Sequence, residues 1–171
     1  MYPIFIMASE RSGSNLLRRM LGAHPYIVAP PPAQLWQVFS KHYAYNGLPS
    51  EQENLETLLD DVVWFLAQNR EHQSWDVFPT KEDINSHLRH RSLPGVILAA
   101  HDAYAGRKRL SYWVCKDGGL HECVHELIRL RPEGKVIYLV RDGRDVVLSD
   151  NKRRGKSRNN TVGTKRSGDL W

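Results

Sequence analysis

Three short apolar runs in this chain alternate with segments that have helical periodicity. The runs are Ile4–Ala8, Tyr112–Cys115 and Lys135–Val140, and each has the length of a buried strand. The first and third runs lead into helix-like segments that begin near Asn15 and Val146. Strands that alternate with helices favour a doubly wound, mainly parallel sheet. The pattern therefore predicts an α/β fold, with a parallel sheet flanked by helices.

The long middle part of the chain, residues 30–107, lacks this alternation. It is predicted to be a helical insertion after the first strand–helix unit, since apolar residues recur at helical spacing over Leu55–Leu66. Two residue pairs in it have the spacing of a helix capping box, namely Ser50 with Glu53 and Thr80 with Asp83. We expect one domain over residues 1–171.

The length and composition fit one ordinary hydrophobic core. The chain has 171 residues, of which 41% are hydrophobic and 25% charged. Its apolar runs are far shorter than a membrane span, and its start has no signal-peptide pattern. Cys115 and Cys123 form neither a CxxC motif nor a disulfide framework. These features predict a cytoplasmic protein with no membrane partner.

The net charge of +5 favours an anionic partner. The segment 152–158 alone holds five lysine and arginine residues. A nucleic-acid surface is one interpretation of this segment, and a solvated basic loop near an anionic ligand is the other. The segment contains no aromatic side chain on which a base could stack, so we expect no nucleic-acid partner. A non-catalytic nucleotide- or RNA-binding domain stays open as an alternative function.

The junction between the first strand and the first helix, Ser9–Asn15, has the composition of an anion site. Small residues at such a junction leave backbone N–H groups pointing at one spot, at the positive end of the helix dipole. Arg11 adds a permanent planar cation. Ser12, Ser14 and Asn15 add side-chain donors. The junction is therefore predicted to bind a phosphate or a sulfate.

Two further cations follow the other two strands. Lys116 comes directly after Tyr112–Cys115, and Arg141 comes directly after the third run. Because the carboxyl ends of parallel strands meet at one edge of a sheet, these cations are expected to converge with the first loop. The loop has the topology of a P-loop, so the predicted fold is a P-loop-like parallel sheet flanked by helices. It lacks the nucleoside triphosphatase signature, since Ala8 replaces the first glycine and Ser14 the lysine.

Two motifs together resemble those of sulfotransferases that use 3′-phosphoadenosine 5′-phosphosulfate (PAPS). Ser9–Leu17 is similar to their 5′-phosphosulfate loop, and Arg18–Pro25 is similar to the continuation in bacterial and tyrosylprotein members. Val140–Ser149 is similar to their 3′-phosphate site. The resemblance implies an enzyme that needs no metal. It would pass a sulfuryl group from PAPS to a hydroxyl or amine of a small-molecule or peptide acceptor.

The resemblance also implies the roles of single residues. Arg141 and Ser149 would hold the 3′-phosphate, and Lys116 would add a cation near the transferred group. The insertion over residues 30–107 would lie on the acceptor side. The residues that would hold the sulfuryl-bearing end of PAPS are Arg11, Ser12, Gly13, Ser14 and Asn15.

The motifs do not identify the general base. Cytosolic members of the family have a histidine where this chain has Gly118, and tyrosylprotein-type members have a glutamate where it has Pro32. Asp117 and His121 are the nearest substitutes, and His101–Asp102 is a third candidate. The expected catalytic residues are Arg11, Lys116, Asp117 and His121.

The segment His121–His125 matches the HExxH pattern of zinc hydrolases. Two imidazoles at i and i+4 share one face of a helix and can bind zinc, with Glu122 as the base. No third ligand follows at the spacing of the extended motif, since Ile128 and Arg131 occupy those positions. A zinc metallohydrolase is therefore the second alternative function.

Sulfotransferases of this kind usually continue beyond the 3′-phosphate motif with a further helix and a closing loop. Neither feature is found before Trp171, the last residue of the sequence. We therefore expect the C-terminal part of the family domain to be missing. The motifs indicate neither the acceptor nor the oligomeric state.

Overall fold

A four-stranded parallel sheet forms the centre of the part of the chain that the structure describes, residues 1–46, 52–68 and 75–158. The structure is a computed structural model. The strands are β1 (Tyr2–Ala8), β2 (Ile27–Val28), β3 (Tyr112–Cys115) and β4 (Lys135–Leu139), and their order in the sheet is β2-β3-β1-β4. Every neighbouring pair is parallel. The predicted α/β fold is thereby confirmed.

Helices connect the strands as the sequence pattern predicts. The described helices are α1 (Ser14–Gly22), α2 (Leu35–Asn46), α3 (Gln52–Gln68), α4 (Lys81–His87), α5 (Leu93–Arg107), α6 (Leu120–Leu130) and α7 (Gly143–Arg158). The helices α1, α6 and α7 follow β1, β3 and β4, while α2 to α5 lie between β2 and β3. Among the described helices, none is long and apolar enough to cross a membrane.

The register of the sheet sets the position of the site. Strand β1 lies between β3 and β4, so that Phe5 pairs with Cys115 on one side and with Val136 on the other. Ala8, the last residue of β1, pairs with Leu139. Because all strands run in the same direction, the loops that follow β1, β3 and β4 emerge at one edge of the sheet.

Helix α5 joins two apolar clusters. Every residue from Leu93 to Ala105 is buried. One cluster packs against the sheet, and its largest members are Phe5, Leu98, Trp113, Leu120 and Leu127. The other cluster fills the space between α2, α3, α4 and α5, and its members include Leu35, Leu58, Val62, Ile84 and Ile97. Because α5 contributes to both clusters, it fixes the helical segment to the sheet.

The capping box predicted at Thr80 and Asp83 forms the start of α4. Thr80 Oγ1 accepts a hydrogen bond from the Asp83 N–H at 3.2 Å, and the Thr80 N–H donates to Asp83 Oδ2 at 2.7 Å. Ser50, which belongs to the other predicted capping box, lies outside the described residues. The box at Thr80 satisfies a first-turn donor that the helix itself cannot pair.

Replacing Thr80 with alanine is expected to lower the free energy of unfolding by about 1 kcal/mol, because the first turn of α4 loses its cap. Urea unfolding followed by circular dichroism measures the change. Thr57→Ala is the matched control, since Thr57 Oγ1 only donates to the Glu53 carbonyl within α3. The control is expected to change stability by less than about 0.5 kcal/mol. Equal losses in the two variants would contradict the capping role.

Candidate functional site

The loop between β1 and α1 has a backbone shaped for anion binding. Arg11 and Gly13 both lie in the left-handed region, with φ values of 64° and 90°. Residues in this conformation turn successive N–H groups toward one concave spot. Leu16 and Leu17 donate to the Gly13 carbonyl at 2.9 and 3.1 Å. Within the described residues, the N–H groups that precede Leu16 in this turn have no such backbone partner, so they are free to bind a ligand.

The side chains of the loop divide into internal and exposed groups. Ser12 and Ser14 are buried, and Ser12 Oγ donates to the Ser9 carbonyl at 2.5 Å. Arg11 and Asn15 are exposed. The Ser12 hydroxyl therefore stiffens the loop from within, while the guanidinium and the amide face outward.

Three residues that are far apart in the sequence meet at this loop. Arg11 Nε donates to Ser149 Oγ at 3.2 Å, across 138 positions of the chain. Arg141 Nη1 donates to the Arg11 carbonyl at 3.0 Å. Asp145 lies 3.7 Å from Arg141 Nε and partly balances its charge. The structure therefore brings Arg11, Arg141 and Ser149 together, whereas among the described residues Lys116 makes no hydrogen bond or ion pair to this loop.

Two predicted site residues follow β3 in different environments. Lys116 is half-buried, and its ammonium group has no ion-pair partner among the described residues. Asp117 is buried, and its Oδ2 accepts the Leu35 N–H at 3.1 Å. Burial raises the pKa of Asp117, although His101 and the N–H groups of Gln34 and Leu35 partly oppose that rise. Asp117 therefore anchors the start of α2 at the end of β3.

The two histidines considered as bases have opposite surroundings. The His121 side chain is 72% exposed at the start of α6. His101 is buried in α5, where its Nδ1 donates to the Ile97 carbonyl at 2.8 Å and burial lowers its pKa. The His101 ring packs against Trp75 and Trp113, with centroid distances of 4.9 and 4.7 Å. Of these two histidines, His121 is the one at the loop edge of the sheet.

A pocket of about 680 Å³ borders the loop at this edge. Ser9 and Glu10 of the loop form one part of its wall. The apolar wall residues include Met7, Leu120 and Tyr138, and the other polar ones include Gln37, Asp117 and His121. A molecule in this pocket would lie next to any anion that the loop binds. The arrangement can therefore hold two reactants side by side.

Gln37 and Tyr138 line the pocket, but the sequence did not indicate them as site residues. Tyr138 is one of several apolar residues in β4, and nothing in the strand pattern distinguishes it. Gln37 reaches the pocket because α2 folds back onto the end of β3. The sequence signal that could have indicated a neighbour such as Gln37 is the pair Gly118–Gly119, because glycines after a strand often mark the close approach of another group.

One residue of the HExxH motif, Glu122, has a structural role. Trp36 Nε1 donates to Glu122 Oε2 at 2.9 Å, so this glutamate fastens α2 to α6. His121 and His125 are both exposed on α6. Over residues 1–46, 52–68 and 75–158, no group of three or more histidine, cysteine, aspartate or glutamate side chains is placed to hold a metal ion. The motif therefore finds no third zinc ligand in this part of the chain.

A family model described as "Sulfotransferase family" matches residues 3–169 of the chain. The match spans the loop, the pocket and the segment from Arg141 to Ser149. No curated protein matches the chain at a significant level.

Proposed function

The chain belongs to the sulfotransferase family, and from this premise we propose that it transfers the sulfuryl group of PAPS to a hydroxyl or amine acceptor. The observation that carries the proposal is the meeting of Arg11, Arg141 and Ser149 at one loop. A bisphosphorylated nucleotide needs two anion sites at a fixed separation. The loop after β1 and the start of α7 offer cations and hydrogen-bond donors for both.

The residues present fit such a nucleotide. The free N–H groups of the loop and the Arg11 guanidinium suit its sulfuryl-bearing end, with Ser12, Gly13, Ser14 and Asn15 forming the cradle. Arg141 and Ser149 suit the 3′-phosphate, because a guanidinium and a hydroxyl both donate to phosphate oxygens. When bound, PAPS supplies an activated sulfuryl group.

The cations of the site act on the charge that develops during transfer. Negative charge builds on the phosphate oxygen as its bond to sulfur breaks. Arg11 is held by Ser149, so its charge is in place before the reaction starts. Arg11 stabilises this charge without giving up a proton, since a guanidinium stays protonated. Lys116, at the end of β3, adds a second cation near the same edge of the sheet.

The pocket beside the loop is the acceptor site in this proposal. It places an acceptor next to Ser9 and Glu10, the first two residues of the loop. Asp117 and His121 line it and are the proposed groups that take the acceptor proton. The raised pKa of Asp117 makes its carboxylate a stronger base than an exposed aspartate.

Titration calorimetry with adenosine 3′,5′-bisphosphate tests the proposal. We expect the bisphosphate to bind with unit stoichiometry, and we expect excess ATP not to displace it, because ATP lacks the 3′-phosphate. Circular dichroism on the same sample verifies that the protein is folded. A folded protein that does not bind the bisphosphate would overturn the proposal.

Arg141→Ala is expected to weaken binding of adenosine 3′,5′-bisphosphate about 10- to 100-fold, since one charge-assisted phosphate contact contributes about 1.5–3 kcal/mol. The same calorimetric titration measures the loss. Arg144→Ala is the matched control, because Arg144 lies three residues away, pairs with Asp142 and has a side chain that is 89% exposed. A similar loss in both variants would mean that Arg141 acts only through the general positive field.

A further inference from the structure

The first turn of α2 is fixed to the loop that connects β3 and α6. The Leu35 N–H donates to Asp117 Oδ2 at 3.1 Å. Trp36 Nε1 donates to Glu122 Oε2 at 2.9 Å. These two bonds hold the helix from its first two residues, so the next residue, Gln37, has a defined place. That place is the wall of the pocket.

Gly118 allows the Gln37 amide to lie directly against the main chain. A Cβ atom at position 118 would be 2.7 Å from Gln37 Nε2 and 2.9 Å from both Oε1 and Cδ. Such atoms do not approach to less than 3.0 Å, so an alanine at this position would push the amide away. The next residue, Gly119, has a φ of 75° and caps α6. Gly118 therefore leaves room for the Gln37 amide, whereas Gly119 supplies the left-handed backbone at the start of α6.

The Gln37 amide lies at the pocket wall without a hydrogen-bond partner in the described part of the chain. Neither its oxygen nor its nitrogen has a hydrogen-bond partner within the described residues. A primary amide offers one acceptor oxygen and two N–H donors. Apolar side chains of Met7, Leu120 and Tyr138 line the same pocket. The pocket therefore combines an apolar wall with a neutral group that both accepts and donates.

We propose that Gln37 is a specificity-determining residue that orients a hydroxyl acceptor for sulfuryl transfer, an inference that rests on the function proposed above. A hydroxyl matches the amide, because it donates one hydrogen bond and accepts others. An alkyl amine is mostly an ammonium ion near neutral pH, and in that form it has no lone pair to receive the Gln37 N–H. The acceptor oxygen forms its bond to sulfur, the bond from sulfur to the phosphate oxygen breaks, and the hydroxyl proton passes to Asp117 or His121, the bases proposed above. Gln37 takes no proton, since an amide oxygen is not basic.

The test compares two probes, the second of which carries a methyl group in place of the hydroxyl hydrogen. Benzyl alcohol donates and accepts hydrogen bonds, whereas benzyl methyl ether only accepts them. Each is titrated into ¹⁵N-labelled protein, and the side-chain amide signals of Gln37 are assigned from their loss in Gln37→Leu. We expect benzyl alcohol to shift these signals together with the backbone signals of Gly118 and Gly119. Absence of any shift at Gln37 would overturn the proposal.

Gln37→Leu is expected to weaken benzyl alcohol binding about tenfold, as two neutral hydrogen bonds are lost. Binding of benzyl methyl ether is expected to weaken less, about threefold, because the ether can form only the hydrogen bond that it accepts from the Gln37 N–H. Gly118→Ala displaces the amide while it keeps the glutamine, so it is expected to cause the same selective loss. Gln68→Leu, at an exposed glutamine of α3, is the matched control. Equal losses for the two probes, or no loss for either, would overturn the proposal.

A second titration separates this inference from the proposed function. Gln37→Leu is expected to bind adenosine 3′,5′-bisphosphate as the unaltered protein does, because Gln37 does not contact Arg11 or Arg141 in the described structure. Loss of bisphosphate binding in the variant would assign Gln37 to the fold of the loop and overturn its role in the pocket. A protein that binds the alcohol through Gln37 but never binds the bisphosphate would overturn the proposed function alone.

Discussion

Replacing Arg11 with alanine is expected to lower the rate of sulfuryl transfer by about 10²–10³-fold, the cost of removing one fixed group that stabilises developing charge. Arg11 is held by Ser149 Oγ at 3.2 Å and lies beside the free N–H groups of the loop. Release of adenosine 3′,5′-bisphosphate from PAPS, with a panel of alcohol, phenol and amine acceptors, measures the rate. Alanine keeps the backbone cost of the left-handed φ at this position unchanged, so the loss reports on the guanidinium.

Two further variants make the Arg11 result specific. Arg11→Lys keeps the charge but loses the planar fork, and it is expected to retain part of the rate, about tenfold below the unaltered enzyme. Arg19→Ala removes an exposed arginine from α1 and is expected to leave the rate unchanged. A full rate in Arg11→Ala with an unchanged free energy of unfolding would remove Arg11 from the reaction.

The strands were predictable because each one is short, apolar and bounded by polar loops. Tyr112–Cys115 has the bounds that the pattern indicates, and the runs at Ile4 and Lys135 agree with β1 and β4 to within two residues. Parallel strands buried by helices need apolar side chains on both faces, which explains the continuous runs of β1 and β3. Strand β4 is equally apolar, although Val136 and Tyr138 are exposed in the described structure. The signal comes from the local sequence, so no knowledge of distant contacts was needed.

Helix α5 shows why the rest of the fold could not be predicted in the same way. It is buried on all sides, so it has no polar face and therefore no amphipathic stripe. Pro94 and Gly95 also resemble helix breakers. In the structure, Ser92 Oγ caps the helix by accepting the Gly95 N–H at 3.2 Å, and Pro94 lies in the first turn, where proline is tolerated.

The same contrast applies to the candidate site. The sequence predicted that Arg11 and Arg141 lie at one edge of the sheet, because each follows a strand of a parallel sheet, and the family resemblance added Ser149 to them. Their roles in binding remain a prediction. Gln37 could not be placed, since its position depends on how α2 packs onto α6 through Trp36 and Glu122. Side chains supplied by the helical segment depend on tertiary packing that no local pattern encodes.

The buried ion pair between Asp102 of α5 and Arg131 leads to the second large expected effect, which is on the stability of the protein. Asp102 Oδ2 accepts from Arg131 Nη1 at 2.5 Å, and Asp102 Oδ1 accepts from Trp113 Nε1 at 2.7 Å. Both charged side chains are at most 4% exposed. Asp102→Ala is expected to lower the free energy of unfolding by about 2–4 kcal/mol, because Arg131 Nη1 and Trp113 Nε1 both lose their buried acceptor, while Arg131 Nε keeps Glu133 at 2.6 Å. Guanidinium chloride unfolding, followed by tryptophan fluorescence, measures the loss.

A control variant and a double variant test whether the loss of stability comes from the buried charge of Arg131. Arg129→Ala breaks an exposed pair with Glu126 and is expected to change stability by less than about 1 kcal/mol. Asp102→Leu combined with Arg131→Met removes both charges and is expected to recover most of the stability that Asp102→Ala loses. A double variant as unstable as Asp102→Ala would instead assign the loss to the Trp113 hydrogen bond. Trp113 lies in β3, the strand that precedes Lys116 and Asp117. That outcome would therefore mean that the same hydrogen bond stabilises the core and positions this part of the candidate site.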